Sequence, residues 1–435
     1  MGGRLQLSKQ WYSHFRVIVL CSFLHLGLSA QIAQYAVDYA PLIWLHSDDQ
    51  YMPSDIKEHV LRTAPRIDFQ RIADGPLRLD LDNLSSLNGY GKNGTNVFLT
   101  AVEDVTTFPG WVLGETPDED GALHNSTACA VVAVQHEIPG KQTVVDVFYF
   151  YFYSWNEGGD ITQVVPPLNR LFPDSKPGDH FGNHLGDWEH NMIRFVDEKP
   201  VGIYFSHHAG GEVCVWDDES CLSKRGERPV VFSARGSHAN YPSEGSHIHD
   251  DALIDIADRG RLWDPVKLAY FYTYDPATET FTAAEPGTAP TDWLYFNGNW
   301  GDQQYQDSDP RQQTVPYFGL KKYYSGPNGP KFKRLVRRGL MPDEKGKFNL
   351  IKTLVHWYMG WYGCCLKGIN PWLVVIGLLI ALATVITLGV VSARLARPAV
   401  KAWVQTRKDR QTKEETAEVQ LRLLDPERAD ADDEA

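Results

Sequence analysis

Residues 372–392 read WLVVIGLLIALATVITLGVVS, twenty-one residues without a charge. A helix that crosses about 30 Å of hydrocarbon needs about 20 mostly apolar residues, so this stretch is expected to be a transmembrane helix. Whatever precedes it must then fold on one side of the membrane and whatever follows it on the other. The twenty residues before it hold two basic residues, Lys352 and Lys367; the twenty after it hold six, Arg394, Arg397, Lys401, Arg407, Lys408 and Arg410. Excess Lys and Arg marks the cytoplasmic side, which places the N-terminal bulk in a lumen or outside the cell and the C-terminus in the cytoplasm. Near the N-terminus Arg4, Lys9 and Arg16 precede a shorter apolar run, 17–28, that closes on small residues at Ala30. Residues 1–30 therefore read as a signal peptide, too short in its apolar part to span a bilayer.

A hydrophobic fraction of 43% with 12% aromatics is enough to bury a core, and a net charge of −13 argues against a phosphate-binding face. A membrane is an expected partner and nucleic acid is not. The sequons at Asn83, Asn93 and Asn125 all precede the span, on the side where glycosylation occurs. Cys214 and Cys221 flank the short polar loop VWDDES, where a disulfide closes readily, while Cys129, Cys364 and Cys365 cannot all pair among themselves.

From about residue 35 to 339 short apolar or alternating runs are separated by Gly, Pro, Asn and Asp, with little helical period. The fold class expected is mainly β, a β-sandwich over residues 31–340. Residues 129–136 and 144–155 flank Pro139-Gly140 as a hairpin, and in the second arm Phe148, Phe150 and Phe152 alternate with Tyr149, Tyr151 and Tyr153. One face can enter a core while the phenols meet water or polar groups. Further strands are expected near 187–196, 201–208, 212–216, 229–234 and 268–274, and a short helix at 249–258. Residues 341–371 carry Trp357, Tyr358, Trp361 and Tyr362 and read as a membrane-proximal aromatic stalk. Residues 393–435 begin basic and end acidic, and read as a disordered cytoplasmic tail.

The densest group of ligand-type side chains is Asp179-His180-Phe-Gly-Asn-His184-Leu-Gly-Asp187-Trp188-Glu189-His190. On a strand Asp187 and Glu189 point to one face, and His184 can fold over to meet them. Carboxylates that close repel unless a cation lies between, so His184, Asp187, Glu189 and Asp179 form a candidate divalent-metal set. Oxygen-rich ligation suits Mg²⁺ or Ca²⁺ better than structural zinc. The bland alternative is that Trp188 is the structural residue and its acidic neighbours cap turns. His207, His238 and Arg235 sit at strand ends and are the candidate ligand-binding residues. Gly236-Ser237-His238 lacks the glycine spacing of a nucleophile elbow, and no phosphate loop follows Gly210-Gly211.

The stretches GNHLGDWEHNMIRF (182–195), GIYFSHHAGGE (202–212), VVFSARGSHANYP (230–242), LWDP (262–265), FNGNWGD (296–302) and SGPNGPKFK (325–333) occur in an order that resembles the fungal vacuolar protein sorting-associated protein 62 family. That resemblance covers residues 35–340 and implies a role in protein targeting to the vacuole. More distantly, the same region is similar to necrosis- and ethylene-inducing-like proteins, whose heptapeptide G-H-R-H-D-W-E lies in a β-sandwich that binds a divalent cation and glycolipid headgroups. Their metal histidine, aspartate and glutamate fall on His184, Asp187 and Glu189. Their middle histidine is replaced by Gly186, and their upstream aspartate has no clean counterpart in Asp179 or Asp160. The expectation is a type I membrane protein of the vacuole or endosome, or of the plasma membrane, that recognises a glycan or a sphingolipid headgroup through a metal-bearing sandwich. The alternative is a metal-dependent hydrolase of phosphoryl or glycosyl substrates with His207 or His238 as general base.

Overall fold

The computed structural model describes residues 32–136, 143–160, 180–208, 210–248, 254–314, 319–342 and 371–424. The chain divides into two units, Met1–Met359 and Gly360–Ala435. The expected signal peptide, Asp179 and residues 343–370 of the aromatic stalk lie outside the described residues.

In chain order the first unit carries helix α1 (Tyr35–Asp38), strand β1 (Leu42–Leu45), helix α2 (Ile56–Leu61), and strands β2 (Thr63–Ile67), β3 (Gln70–Arg71), β4 (Phe98–Ala101), β5 (Cys129–His136) and β6 (Val144–Asn156). There follow β7 (Gly159–Asp160), β8 (His180–Phe181), β9 (His184–Val196), β10 (Lys199–His207), β11 (Gly210–Val215), β12 (Lys224–Arg225) and β13 (Arg228–Ser233). The last are β14 (Asn240–Tyr241), β15 (Gly245–Ile248), β16 (Ile254–Ala257), β17 (Arg261–Trp263), β18 (Ala269–Asp275) and β19 (Thr280–Ala283). The seven-stranded sheet runs β11-β10-β9-β6-β5-β18-β19, antiparallel except where β18 joins β5 in parallel. A second sheet runs β12-β13-β1-β17, with β14 also on β13 and β1 parallel to β13.

The thirteen-residue β6 lies near the middle of the large sheet, and both of its faces are buried. The Phe148, Phe150 and Phe152 face packs with Trp188 and Met192 of β9, with Ile56 and Val60 of α2, and with Trp293 and Trp300. The tyrosine face packs with Ile43, Val231 and Trp263 of the second sheet. Solvent at the tyrosine face, one of the two surroundings open to it in the sequence, is thus excluded. Tyr149 OH donates to Ala36 O at 2.7 Å and Tyr151 OH to Asn191 Oδ1 at 3.0 Å, so the buried hydroxyls are satisfied. The arrangement is a sandwich in which the main sheet is itself the middle layer, covered on its second face by α2, short 3₁₀ turns and the three-stranded sheet β3-β2-β4.

Cys214 and Cys221 are joined in a disulfide with Cα atoms 5.6 Å apart, and Cys129 is a buried free thiol. The helix expected over 249–258 is not formed in its described part, where Ile254–Ala257 is strand β16 paired with β15. Ile254 and Ile256 alternate with the buried Asp255 and Ala257, a period of two that wins over helix propensity.

The second unit is a helix, α3 (Pro371–Leu424), of 54 residues. Its stretch Val375–Ala417 contains a window of mean hydropathy 2.6 and is long and apolar enough to cross a membrane. At 1.5 Å per residue the helix is about 80 Å long, more than twice the hydrocarbon thickness. Residues 393–424, expected to be disordered, continue it. Ala, Arg, Lys, Gln and Glu dominate that segment and are strong helix formers, which a reading of charge and aromatic content alone passes over.

Candidate functional site

Strand periodicity sorts β9 into two sets. Trp188, His190 and Met192 join the phenylalanine face, while Asp187 and Glu189 stand opposite Tyr153 and Tyr151 on the tyrosine face. Gly186 has φ +70°, and a Cβ there would lie 2.0 Å from Trp300 O, so no side chain fits where the toxins' heptapeptide has its second histidine. His184 opens the strand, and its Nδ1 donates to Gly186 O at 2.7 Å.

Asp187 Oδ2 accepts from His238 Nδ1 at 3.0 Å. The other ring nitrogen of His238 is 3.1 Å from Tyr51 O and 3.7 Å from Asp49 Oδ2. Both nitrogens thus face acceptors, an arrangement that favours the protonated ring. Burial opposes that charge, but the bond to Asp187 and the field of Asp49 outweigh it and raise the pKa. The ring lies parallel to Tyr153 with centroids 3.7 Å apart, and His238 holds φ +54°, a strained backbone for a residue with a Cβ. Glu189 accepts from Ser206 Oγ, which itself accepts from His190 N at 2.9 Å. Burial, then repulsion from Asp187, pushes the Glu189 carboxyl up to about 8, so at neutral pH the carboxylate pair retains a proton.

Beside this network Asp255 accepts from Ser237 Oγ at 2.9 Å, Tyr241 OH at 2.7 Å and His208 Nε2 at 2.7 Å. Burial would lower the pKa of His208, but Asp255 reverses the shift and raises it. Glu157 lies 3.6 Å from both His180 and Arg235, and its pKa is raised by burial. A cavity of about 230 Å³ is walled by His46, Glu157, Asp160, His180, Arg235 and Asp255.

Of the residues picked out in the sequence, Asp187 and His238 are in contact, and Arg235 reaches the cavity wall. His207 instead stacks on Tyr241 at 5.1 Å. Asp49, Glu157 and Asp255 carry no motif, and Ser206 lies within GIYFSHHAGGE without having been singled out. Asp49 and His238 are 189 positions apart, and the pairing of β1 with β13 brings their segments together.

Two features suit a divalent cation: the Asp187–Glu189 pair with its retained proton, and the tautomer of His184, whose Nδ1–H donates to a carbonyl as metal-ligating histidines do. A third feature does not. Among the described residues no three His, Cys, Asp or Glu groups gather as a cation would need.

The sequence profile of vacuolar protein sorting-associated protein 62 matches residues 119–316. The putative vacuolar protein sorting-associated protein TDA6 of Saccharomyces cerevisiae is 34% identical over 353 residues, 74% of this chain and 71% of that protein. Vacuolar protein sorting-associated protein 62 of the same yeast is 34% identical over 361 residues, 77% of this chain and 70% of that protein. The chain belongs to the vacuolar protein sorting-associated protein 62 family. Membership accounts for the ordered motifs: GNHLGDWEHNMIRF supplies β9 with both of its faces, and VVFSARGSHANYP supplies β13, β14 and the strained His238 turn. Among solved structures, "Toxin fold for microbial attack and plant defense" has 11% identity and a TM-score of 0.23, covering 57% of this chain and 74% of that one. "NLPPya in complex with glucosamine" has 11% identity and a TM-score of 0.22 over the same shares. These are likenesses of β architecture and carry neither ligand nor activity to this family.

Proposed function

We propose that the chain serves protein targeting to the vacuole as a single-span membrane protein of the endomembrane system, with its β domain luminal and its C-terminus cytoplasmic. The domain recognises a polar headgroup, of a glycan or a sphingolipid, at the end of the sheet where Asp187, Glu189 and His238 meet. The carrying observation is the charged wall around the 230 Å³ cavity, to which Glu157, Arg235 and Asp255 come from three separate segments, after β6, after β13 and on β16. A divalent cation belongs to this reading: Asp187 and Glu189 would hold it, and its charge would offset the repulsion between their carboxylates. Binding is favoured over turnover because His238 has both nitrogens committed and His207 lies against Tyr241, which leaves neither poised as a base.

The test uses the full chain in nanodiscs. Metal content and calorimetric titration with Mg²⁺ and Ca²⁺ are compared between wild type and Asp187→Ala/Glu189→Ala, with about one ion expected in the first and none in the second. Equal binding, or none in either, removes the cation. Titration of the same nanodiscs with the soluble oligosaccharide of a glycosphingolipid is expected to show binding that is lost in Arg235→Ala. Absence of binding in wild type removes the recognition reading.

A further inference from the structure

Beyond Ser392 the helix α3 leaves its apolar stretch and enters a segment with a pattern of its own. Residues 394–413 hold seven basic side chains against one acid, Asp409. Asp409 accepts from Gln405 Nε2 at 3.0 Å, and among the described residues none of the seven is held in an ion pair. The positive charge is therefore uncompensated within the chain.

The charge is also ordered. At 3.6 residues per turn Arg394, Arg397, Lys401 and Lys408 fall within about 60° of one another around the helix. Leu395, Val400 and Trp403 lie on the other side, exposed to 73%, 56% and 61%. Arg407 stands 5.2 Å over the Trp403 ring, a cation held beside the apolar face. Orientation across a membrane needs basic charge beyond the span but no apolar face opposite it. A basic face backed by Trp, Leu and Val is instead the pattern of a helix lying in the headgroup layer, where anionic lipids supply the counter-charge.

Depth decides whether the segment can reach that layer. A straight α3 would carry Pro398 about 9 Å and Trp403 about 16 Å past Ser392. The headgroup layer is about 5–8 Å thick, so Trp403 would stand in water with its apolar face uncovered. Pro398 lies inside the helix, at the outer edge of that layer. It has no N–H for the carbonyl of Arg394 and its ring crowds that carbonyl, which makes it the place where such a helix bends. A bend there returns Lys401, Trp403 and Lys408 to the lipid surface. A second copy of the helix would cover the apolar face too, but it would bring two sets of unpaired bases together. Resting on the cytoplasmic placement given above, we propose that α3 turns at Pro398 and that residues 399–413 bind anionic phospholipid headgroups of the cytoplasmic leaflet.

The full chain, labelled with fluorotryptophan, is placed one copy per nanodisc in phosphatidylcholine alone or mixed with phosphatidylserine, each with a lipid spin-labelled at its headgroup. The Trp403 signal is the fluorine line missing from Trp403→Phe. That line is expected to broaden in discs with phosphatidylserine and to stay sharp in phosphatidylcholine alone and at high salt. Lys401→Gln/Lys408→Gln should lower the ratio of surface-bound to free segment about five-fold for each lysine removed. Pro398→Ala should lower it as well, and an unchanged ratio there overturns the turn at Pro398. Equal broadening in both lipids, broadening in neither, or a double variant that behaves as wild type overturns the lipid site. Broadening that needs two copies in one disc assigns the apolar face to a second chain and overturns it too. Nanodiscs offer both leaflets, so failed broadening strikes the lipid site alone, while a reversed topology in protease mapping strikes only its assignment to the cytoplasmic side.

Discussion

His59 has no exposed surface, and both of its ring nitrogens are occupied, Nδ1 by Ser154 Oγ at 3.1 Å and Nε2 by Trp300 O at 3.0 Å. A carbonyl can only accept, so Nε2 holds the proton and the ring is neutral. Burial pushes its pKa down to about 4, from about 6.5 in the unfolded chain. Between those values the unfolded state binds a proton that the folded state refuses, so the stability His59 confers is present above pH 6.5 and is lost as pH falls toward 4. Between pH 7 and pH 5 the loss is about 2 kcal/mol. His59→Gln should lower stability at pH 7 yet flatten the fall toward pH 5, read from denaturant midpoints at both pH values; an unchanged fall would assign the dependence to other groups. The sequons separate on similar local grounds. Asn83 spends its amide on Arg78 O at 3.0 Å and its carbonyl on Asp80 N at 2.9 Å, whereas Asn93 is exposed in a turn at φ +57°. Asn93→Gln should therefore remove one glycan's mobility step on treatment with an N-glycosidase, and Asn83→Gln should change little.

The elements that the sequence displays are those whose pattern is local. β5, β6 and β9 to β11 lie where alternation and turn residues place them, because a period of two needs no partner to be visible. The parallel contact of β1 with β13, which carries Asp49 and Tyr51 to His238, has no such signature, and this is why half of the candidate site was not legible. The pair Asp187 and Glu189 was visible as a motif, but its partners Ser206 and His238 follow from register and from a strained turn. A second long-range feature is the ion cluster on β6 and β9. Asp146, fully buried, receives Arg194 Nε at 2.7 Å and NH2 at 2.8 Å, and His136 Nε2 lies at 2.9 Å. Arg194 also donates to the carbonyls of Arg337 at 3.0 Å and Arg338 at 2.8 Å, fastening the last described segment of the domain to the sheet. Asp146→Ala leaves a buried guanidinium without its counter-charge and should cost about 3–5 kcal/mol. The denaturant midpoint measures that cost, and hydrogen exchange should show early opening around residues 333–340. A loss under 1 kcal/mol would mean that the carbonyls alone hold Arg194.

For the molecule as a whole, α3 decides how the two units are used. Its apolar part is uncharged from residue 372 to 392, and the helix then continues through Arg394, Arg397 and Lys401 without a break at Pro398. Basic residues directly after a span favour retention on the cytoplasmic side, which is the orientation proposed above. A disulfide such as Cys214–Cys221 persists in an oxidising lumen and would be reduced in the cytosol, which supports the same proposed orientation. Sealed microsomes carrying the full chain with a C-terminal tag test both. Protease added outside should remove the tag while the domain stays protected, glycosylated and disulfide-bonded. Arg394→Gln/Arg397→Gln/Lys401→Gln should yield a mixed population, since the remaining Arg407, Lys408 and Arg410 lie farther from the span and steer it less. A wild-type tag that resists protease while the domain is digested would reverse the proposed topology.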